Sequence, residues 1–96
     1  MTLARFQEQI RHIYFEKDSK RGIQGTFMWL TEEVGELSRA LLLKDTSRIT
    51  EELADVVAWL FSVASIAGVD MEEAVKKYES GCPKCHRTPC ACSERH

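Results

Sequence analysis

The sequence predicts an all-α protein: an antiparallel helical bundle of about four helices, completed by oligomerisation, with a short Cys-rich C-terminal tail. Three observations carry that expectation. Apolar residues recur at helical spacing in successive segments, no stretch alternates with a period of two, and one segment is too apolar all round for so short a chain to cover.

Leu3, Phe6, Ile10 and Ile13 fall on one helical face and give a first helix to about Glu16, which "KDSKRGIQG" then breaks with two glycines and a cluster of charges. A second helix runs from about Thr26 to Leu43, with Phe27, Leu30, Val34, Leu37 and Leu41 on one side at roughly 100° per residue. "KDTS" is the turn. Asp45 or Ser47 can cap a third helix reaching about Ala67, whose inward face is Ile49, Leu53, Val56, Val57, Leu60 and Ala64. Gly68 suits its C-terminal cap. Asp70 with Glu73 forms a capping box for a short fourth helix to about Glu79. Between Val56 and Ala67 only Ser62 and Ser65 interrupt the apolar surface, so two or more chains are expected to pack together. Residues 1–79 read as one helical domain and 80–96 as the tail.

With 96 residues and a formal charge of -2, the chain has room for one domain and lacks the concentrated basic surface that general nucleic-acid binding requires. Its start, "MTLARFQEQIRHI", has no signal-peptide core, so a cytoplasmic location is expected. The run "VVAWLFSVASIAGV" is too short to span a bilayer, and no membrane partner is expected.

The chemistry concentrates in two acidic clusters, Glu32, Glu33 and Glu36 in "LTEEVGELSRAL", and Glu51, Glu52 and Asp55 in "EELADVVAWL". Residues three apart share a helix face, so Glu33 with Glu36 and Glu52 with Asp55 form two pairs. Across a hairpin closed by "KDTS", one pair lies roughly 10 to 15 Å and the other roughly 8 to 12 Å from the turn at the helical rise. The pairs are therefore level. Four carboxylates at the edge of the apolar stripes would repel unless a cation offset them. Oxygen donors with no histidine favour Mg²⁺ first and Mn²⁺ next, over zinc or a di-iron centre. One pair of this kind would read as ordinary surface charge; two level pairs bordering the core favour the cation.

Trp29 and Trp59 each stand one helical turn from an acid, where they can stack on a base, although packing in the core or a subunit interface is the favoured role. Lys20 and Arg21 stand in the segment before the second helix. His12 has no evident partner. The tail, "CPKCHRTPCAC", holds all four cysteines. Cys82, Cys85, Cys90 and Cys92 are candidate ligands of one structural Zn²⁺, with His86 or His96 able to replace one of them. The second pair, C-x-C, is tighter than the usual zinc half-site. A redox or free-thiol tail and a disordered one are the alternatives, and disulfides are disfavoured in a cytosolic protein.

The motif "LTEEVGEL" followed by "EELADV" resembles the E-x-x-E…E-x-x-D signature of the MazG-like nucleoside triphosphate pyrophosphohydrolases, within the all-α NTP pyrophosphatase superfamily. The resemblance covers roughly residues 3 to 79. It implies that Glu33, Glu36, Glu52 and Asp55 are Mg²⁺ ligands, with Glu32 or Glu51 beside them or orienting water. It also implies hydrolysis between the α and β phosphates of an NTP or dNTP to the monophosphate and pyrophosphate, clearing non-standard or excess nucleotides, and a homodimer or dimer of dimers. A downstream Lys or Arg, often with an Asn, holds the phosphates in this family. Here the resemblance makes Lys76 and Lys77 the candidates, with Lys20 and Arg21 as the others, while "KKYES" lacks the Asn. The competing expectations are a non-catalytic helical interaction module with a zinc-stapled tail, and a nucleotide sensor that binds without cleaving.

Overall fold

The computed structural model describes residues 1–95 and is helical throughout its folded body, with no strand among the described residues. Three long helices, α1 (Leu3–Arg21), α2 (Ile23–Leu43) and α3 (Thr46–Ile66), precede one turn of helix, α4 (Met71–Ala74), which tightens into a 3-10 turn at Val75–Tyr78. α2 and α3 form the main antiparallel hairpin, and α1 lies along it, mostly on α3.

Each boundary has a local cause. Thr2 caps α1 by accepting from the Arg5 N–H at 3.1 Å. α1 does not stop near Glu16 as the charge cluster implied, but runs five residues further. "KDSKR" stays helical because Lys20 pairs with Glu16, Arg21 pairs with Asp18, and both cations favour the helix C-terminus. Gly22 alone makes the break, with φ 87 and ψ 166. Gly25 lies inside α2 and breaks nothing.

Two residues connect α2 to α3. The Asp45 N–H bonds the Ala40 carbonyl and the Lys44 N–H the Leu41 carbonyl, the crossed pattern that closes a helix on a left-handed residue, here Lys44 at φ 55. Asp45 then caps α3 through the Arg48 N–H. The same crossed pattern ends α3, from Val69 to Ala64 and from Gly68 to Ser65, with Gly68 at φ 74. Asp70 caps α4 through the Glu72 and Glu73 N–H groups. Glu73 pairs instead with Lys76, and the fourth helix is one α turn that continues without a break as the 3-10 turn to Tyr78, one residue short of the expected end.

The buried centre differs from the expected stripes. Ile10, Leu30, Ala40, Phe61 and Ala64 are buried together with Gln7, Asp18, Thr26, Ser62 and Ser65, and Phe6 meets Phe61 edge-on at 5.1 Å. Small residues let the three helices approach closely. Phe27, Val34 and Leu41 of α2 are about half exposed, as is Leu53 of α3, while Val57 and Leu60 are close behind. The expected inward faces of α2 and α3 are thus largely uncovered within one chain, because α1 shields only the flank that carries the small residues.

Gln7 ties the start of α1 to the α3–α4 corner. Its amide donates to Ser65 Oγ and the Val69 carbonyl and accepts from the Met71 N–H at 2.9 Å. The Glu72 carboxylate accepts from the Ala4 N–H, joining α4 to the start of α1. No single helix is long and apolar enough to cross a membrane.

Candidate active site and cysteine knuckle

The hairpin brings Glu33 of α2 together with Glu52 and Asp55 of α3: one carboxylate oxygen from each lies within 4.8 Å of the others. Glu52 Oε2 is buried and has no hydrogen-bond partner. Burial raises the Glu33 pKa above the ordinary carboxylate range, and the adjacent carboxylates of Glu52, Asp55 and Glu36 push the same way. An orphaned oxygen among three crowded carboxylates is what a bound cation would resolve. Glu36, on the same face of α2, turns its Oε2 toward Arg48 at 3.9 Å, a long and half-exposed ion pair. Three of the four expected ligands therefore converge directly and the fourth borders them. Glu32 and Glu51 are exposed. Glu32 lines a shallow depression with Met28, Thr31, Gly35 and Glu36.

Beside Asp55 a cavity of about 300 Å³ opens between α1 and α3, lined by Tyr14, Lys17, Asp18, Arg21, Asp55, Ala58, Trp59 and Ser62. Its fixed cation is Arg21. The guanidinium donates to the buried Asp18 at 2.9 Å and to Thr26 Oγ1 at 3.3 Å, and lies 5.0 Å from the Trp59 ring centroid. A Cβ on Gly25 would stand 2.8 Å from Arg21 Cγ, so this glycine is what lets the arginine stem cross the start of α2. Trp29 and Trp59 stack on each other, 5.9 Å apart and 14° from parallel. The two aromatics placed by sequence next to the acids thus form one inter-helix pair.

Lys20 is exposed and pairs with Glu16. Lys76 and Lys77 sit on the 3-10 turn, where Lys76 pairs with Glu73, which raises its pKa, and Lys77 lies 5.2 Å from the Tyr78 ring. Neither lysine lines the cavity beside the acids. Sequence reasoning missed Tyr14, Lys17, Asp18 and Ser62. Only the i, i+3 spacing of Asp18 and Arg21 hinted at one of them.

A second cluster lies in the tail. The sulfurs of Cys82, Cys85, Cys90 and Cys92 all fall within 4.8 Å of one another, and all four thiols are free. The backbone N–H groups of Cys85 and Lys84 hold the Cys82 pKa down to about 6. Those of Ala91 and Arg87 lower Cys85. The neighbouring thiols push Cys92 up to about 12. His86 is exposed and outside the cluster, and His96 lies outside the described residues. His12 is exposed. A hollow of about 460 Å³ lies between this tail and Lys77 and Tyr78, and none of the clustered carboxylates lines it.

A comparison with curated proteins returns no match. The family model of the MazG nucleotide pyrophosphohydrolase domain matches residues 21–86, a span that holds Arg21, both tryptophans, all the clustered carboxylates and the first two cysteines. By this match over more than half its length, the chain belongs to the MazG nucleotide pyrophosphohydrolase family.

Proposed function

We propose that the chain is a Mg²⁺-dependent nucleoside triphosphate pyrophosphohydrolase, hydrolysing the bond between the α and β phosphates of an NTP or dNTP to give the monophosphate and pyrophosphate. The observation that carries the reading is the buried, unpartnered Oε2 of Glu52, a residue whose carboxylate converges with those of Glu33 and Asp55. An all-oxygen donor set of this kind suits a small hard cation, with Mn²⁺ the substitute. Glu33, Glu52 and Asp55 would hold it, and Glu36 would join by leaving its weak contact with Arg48. When bound, Mg²⁺ supplies charge neutralisation for the triphosphate. The protein's own residues do the rest. Arg21, immobilised by Asp18 and Thr26, offers a preorganised donor to a phosphate oxygen at the α1 side of the groove. Glu32 or Glu51, exposed at the rim, orients the attacking water and takes its proton. Trp29 and Trp59 wall the nucleotide, and Lys76 or Lys77 adds phosphate contacts.

The same reading includes a homodimer or dimer of dimers. Phe27, Val34 and Leu41 recur every seven residues along α2, and Leu53, Val57 and Leu60 of α3 are likewise exposed. The α2 stripe is the shape of a helix-packing seam. Gly35 sits mid-helix with open space over its Cα, room for a close neighbour. A cytoplasmic location completes the proposal.

Pyrophosphate release from a panel of ribo- and deoxyribonucleoside triphosphates, with Mg²⁺ or with chelator, tests the reading on the native protein and on Glu52→Gln. Metal-dependent release lost in the variant is the expected result. Binding without release would make the chain a nucleotide sensor. Neither binding nor release from a folded, Mg²⁺-supplied protein would leave the helical interaction module.

A further inference from the structure

The carboxylate groove leaves the tail unexplained. From Glu79 onward the described chain has neither helix nor strand, and its only apolar side chains besides the cysteines are Pro83, Pro89 and Ala91. No core of its own can hold such a segment in one conformation. Yet its backbone is specific. Cys82 N–H bonds the Arg87 carbonyl at 3.1 Å and His86 N–H bonds the Cys82 carbonyl at 2.7 Å, folding "CPKCHR" into a closed turn. His86 adopts φ 60, a conformation uncommon outside glycine. Gly81 adopts φ 106, and a Cβ there would lie 2.6 Å from Thr88 Oγ1 and 3.0 Å from the Arg87 carbonyl oxygen. Residues held in such regions need something that over-determines them.

The sulfurs supply the reason. Cys82 and Cys92 Sγ are 3.9 Å apart, Cys85 and Cys90 Sγ 4.0 Å, and every pair is within 4.8 Å. A tetrahedron with Zn–S bonds of about 2.3 Å has edges of roughly 3.8 Å. Two further contacts aim backbone N–H groups at sulfur, from Ala91 to Cys85 and from Cys92 to Cys90, each at 3.3 Å. Donors of this kind favour thiolate over thiol.

We propose that Cys82, Cys85, Cys90 and Cys92 bind one Zn²⁺ in a closed, all-sulfur structural site that folds residues 81–92 onto the end of the helical domain. Binding displaces the thiol protons to solvent and changes no oxidation state. All four ligands are protein sulfurs, so no position is open for substrate, and the site is structural rather than catalytic. The proposal stands independently of the nucleotide reading, because it shares no residue with the carboxylates.

The test is metal analysis of the full chain purified under reducing conditions without chelator, followed by Co²⁺ reconstitution of the stripped protein. One Zn²⁺ per chain is expected, with the absorption of tetrahedral thiolate-bound Co²⁺ after exchange. Cys85→Ser and Cys90→Ser should each lower zinc affinity at least tenfold while the helical circular dichroism stays. Gly81→Ala keeps every sulfur and should weaken zinc binding by disturbing the turn alone, whereas Glu52→Gln should leave the zinc content at one. Sub-stoichiometric zinc after zinc addition overturns the proposal. So do iron in place of zinc, a pair of disulfides in the freshly reduced and exchanged protein, or zinc binding unaffected by both serine variants.

Discussion

The carboxylate groove and the cysteine cluster are both groups of potential metal ligands gathered within a few ångströms, yet they are built in opposite ways. Glu33, Glu52 and Asp55 are carried by two long helices whose position is set by packing of Leu30, Ala40, Phe61 and their neighbours. The acids are held together whether or not an ion is bound, and the cost appears as a raised Glu33 pKa and an orphaned oxygen. The cysteines are carried by a segment with no packing of its own. The first arrangement uses fold stability to create a site; the second uses a site to create fold stability.

The comparison breaks most sharply on catalysis. Glu52→Gln is expected to lower pyrophosphate release by about 100-fold or more, since losing several kcal/mol of charge stabilisation costs tenfold per ~1.4 kcal/mol. Stopped or coupled assays of pyrophosphate read it directly, and Cys85→Ser should not reproduce the loss.

Stability toward chelators gives the next effect. Saturating Mg²⁺, at about one hundred times its Kd, should stabilise the protein by ~2.7 kcal/mol, read as a shift in thermal unfolding. Glu33→Gln should abolish that gain. Without metal, the sign reverses. A carboxyl whose folded pKa is raised contributes stability while protonated and loses it as pH rises through that pKa. In chelator the native protein should therefore lose stability as pH rises through the Glu33 transition, and Glu33→Gln should be flat there. Unfolding midpoints across pH 4 to 7, near the ordinary carboxylate range and above it, separate the two.

A smaller effect belongs to Arg21. Gly25→Ala places a methyl against the Arg21 stem, so the guanidinium must shift from Asp18 and Thr26. A several-fold rise in KM with a smaller change in kcat is expected, and steady-state kinetics on the nucleotide preferred by the native protein checks it.

The parts of this design that rest on spacing along one helix were legible in the sequence. The i, i+3 acid pairs and the level placement of Glu33 opposite Glu52 and Asp55 needed only helical geometry and a short turn at "KDTS", which the structure makes with Lys44 and Asp45 alone. What periodicity could not decide was which of two apolar-bordering faces the chain covers itself. Phe27, Val34, Leu41 and Leu53 read as core, yet Thr26, Ala40, Ser62 and Ser65 occupy it, because small and hydroxyl-bearing residues allow close approach and leave the larger side chains outward. The end of α1 was misplaced for a related reason. "KDSKR" has the composition of a loop, and only its internal pairing and the buried Asp18 keep it helical. Arg21 could be named as a cation before its orientation was known, whereas Tyr14, Lys17, Asp18 and Ser62 enter the cavity through α1 crossing α3, a tertiary fact.

Gln7 has a consequence for how the chain opens. One side-chain amide closes three hydrogen bonds to residues more than fifty positions away, and two of them use the backbone at Val69 and Met71. When the first turns of α1 fray, the α3–α4 corner loses its internal partner at the same moment, and Ala4 releases Glu72. The start of α1 and the α3–α4 corner are therefore expected to exchange their amide hydrogens as one cooperative unit, on a timescale separate from the α2–α3 hairpin that keeps the acids aligned.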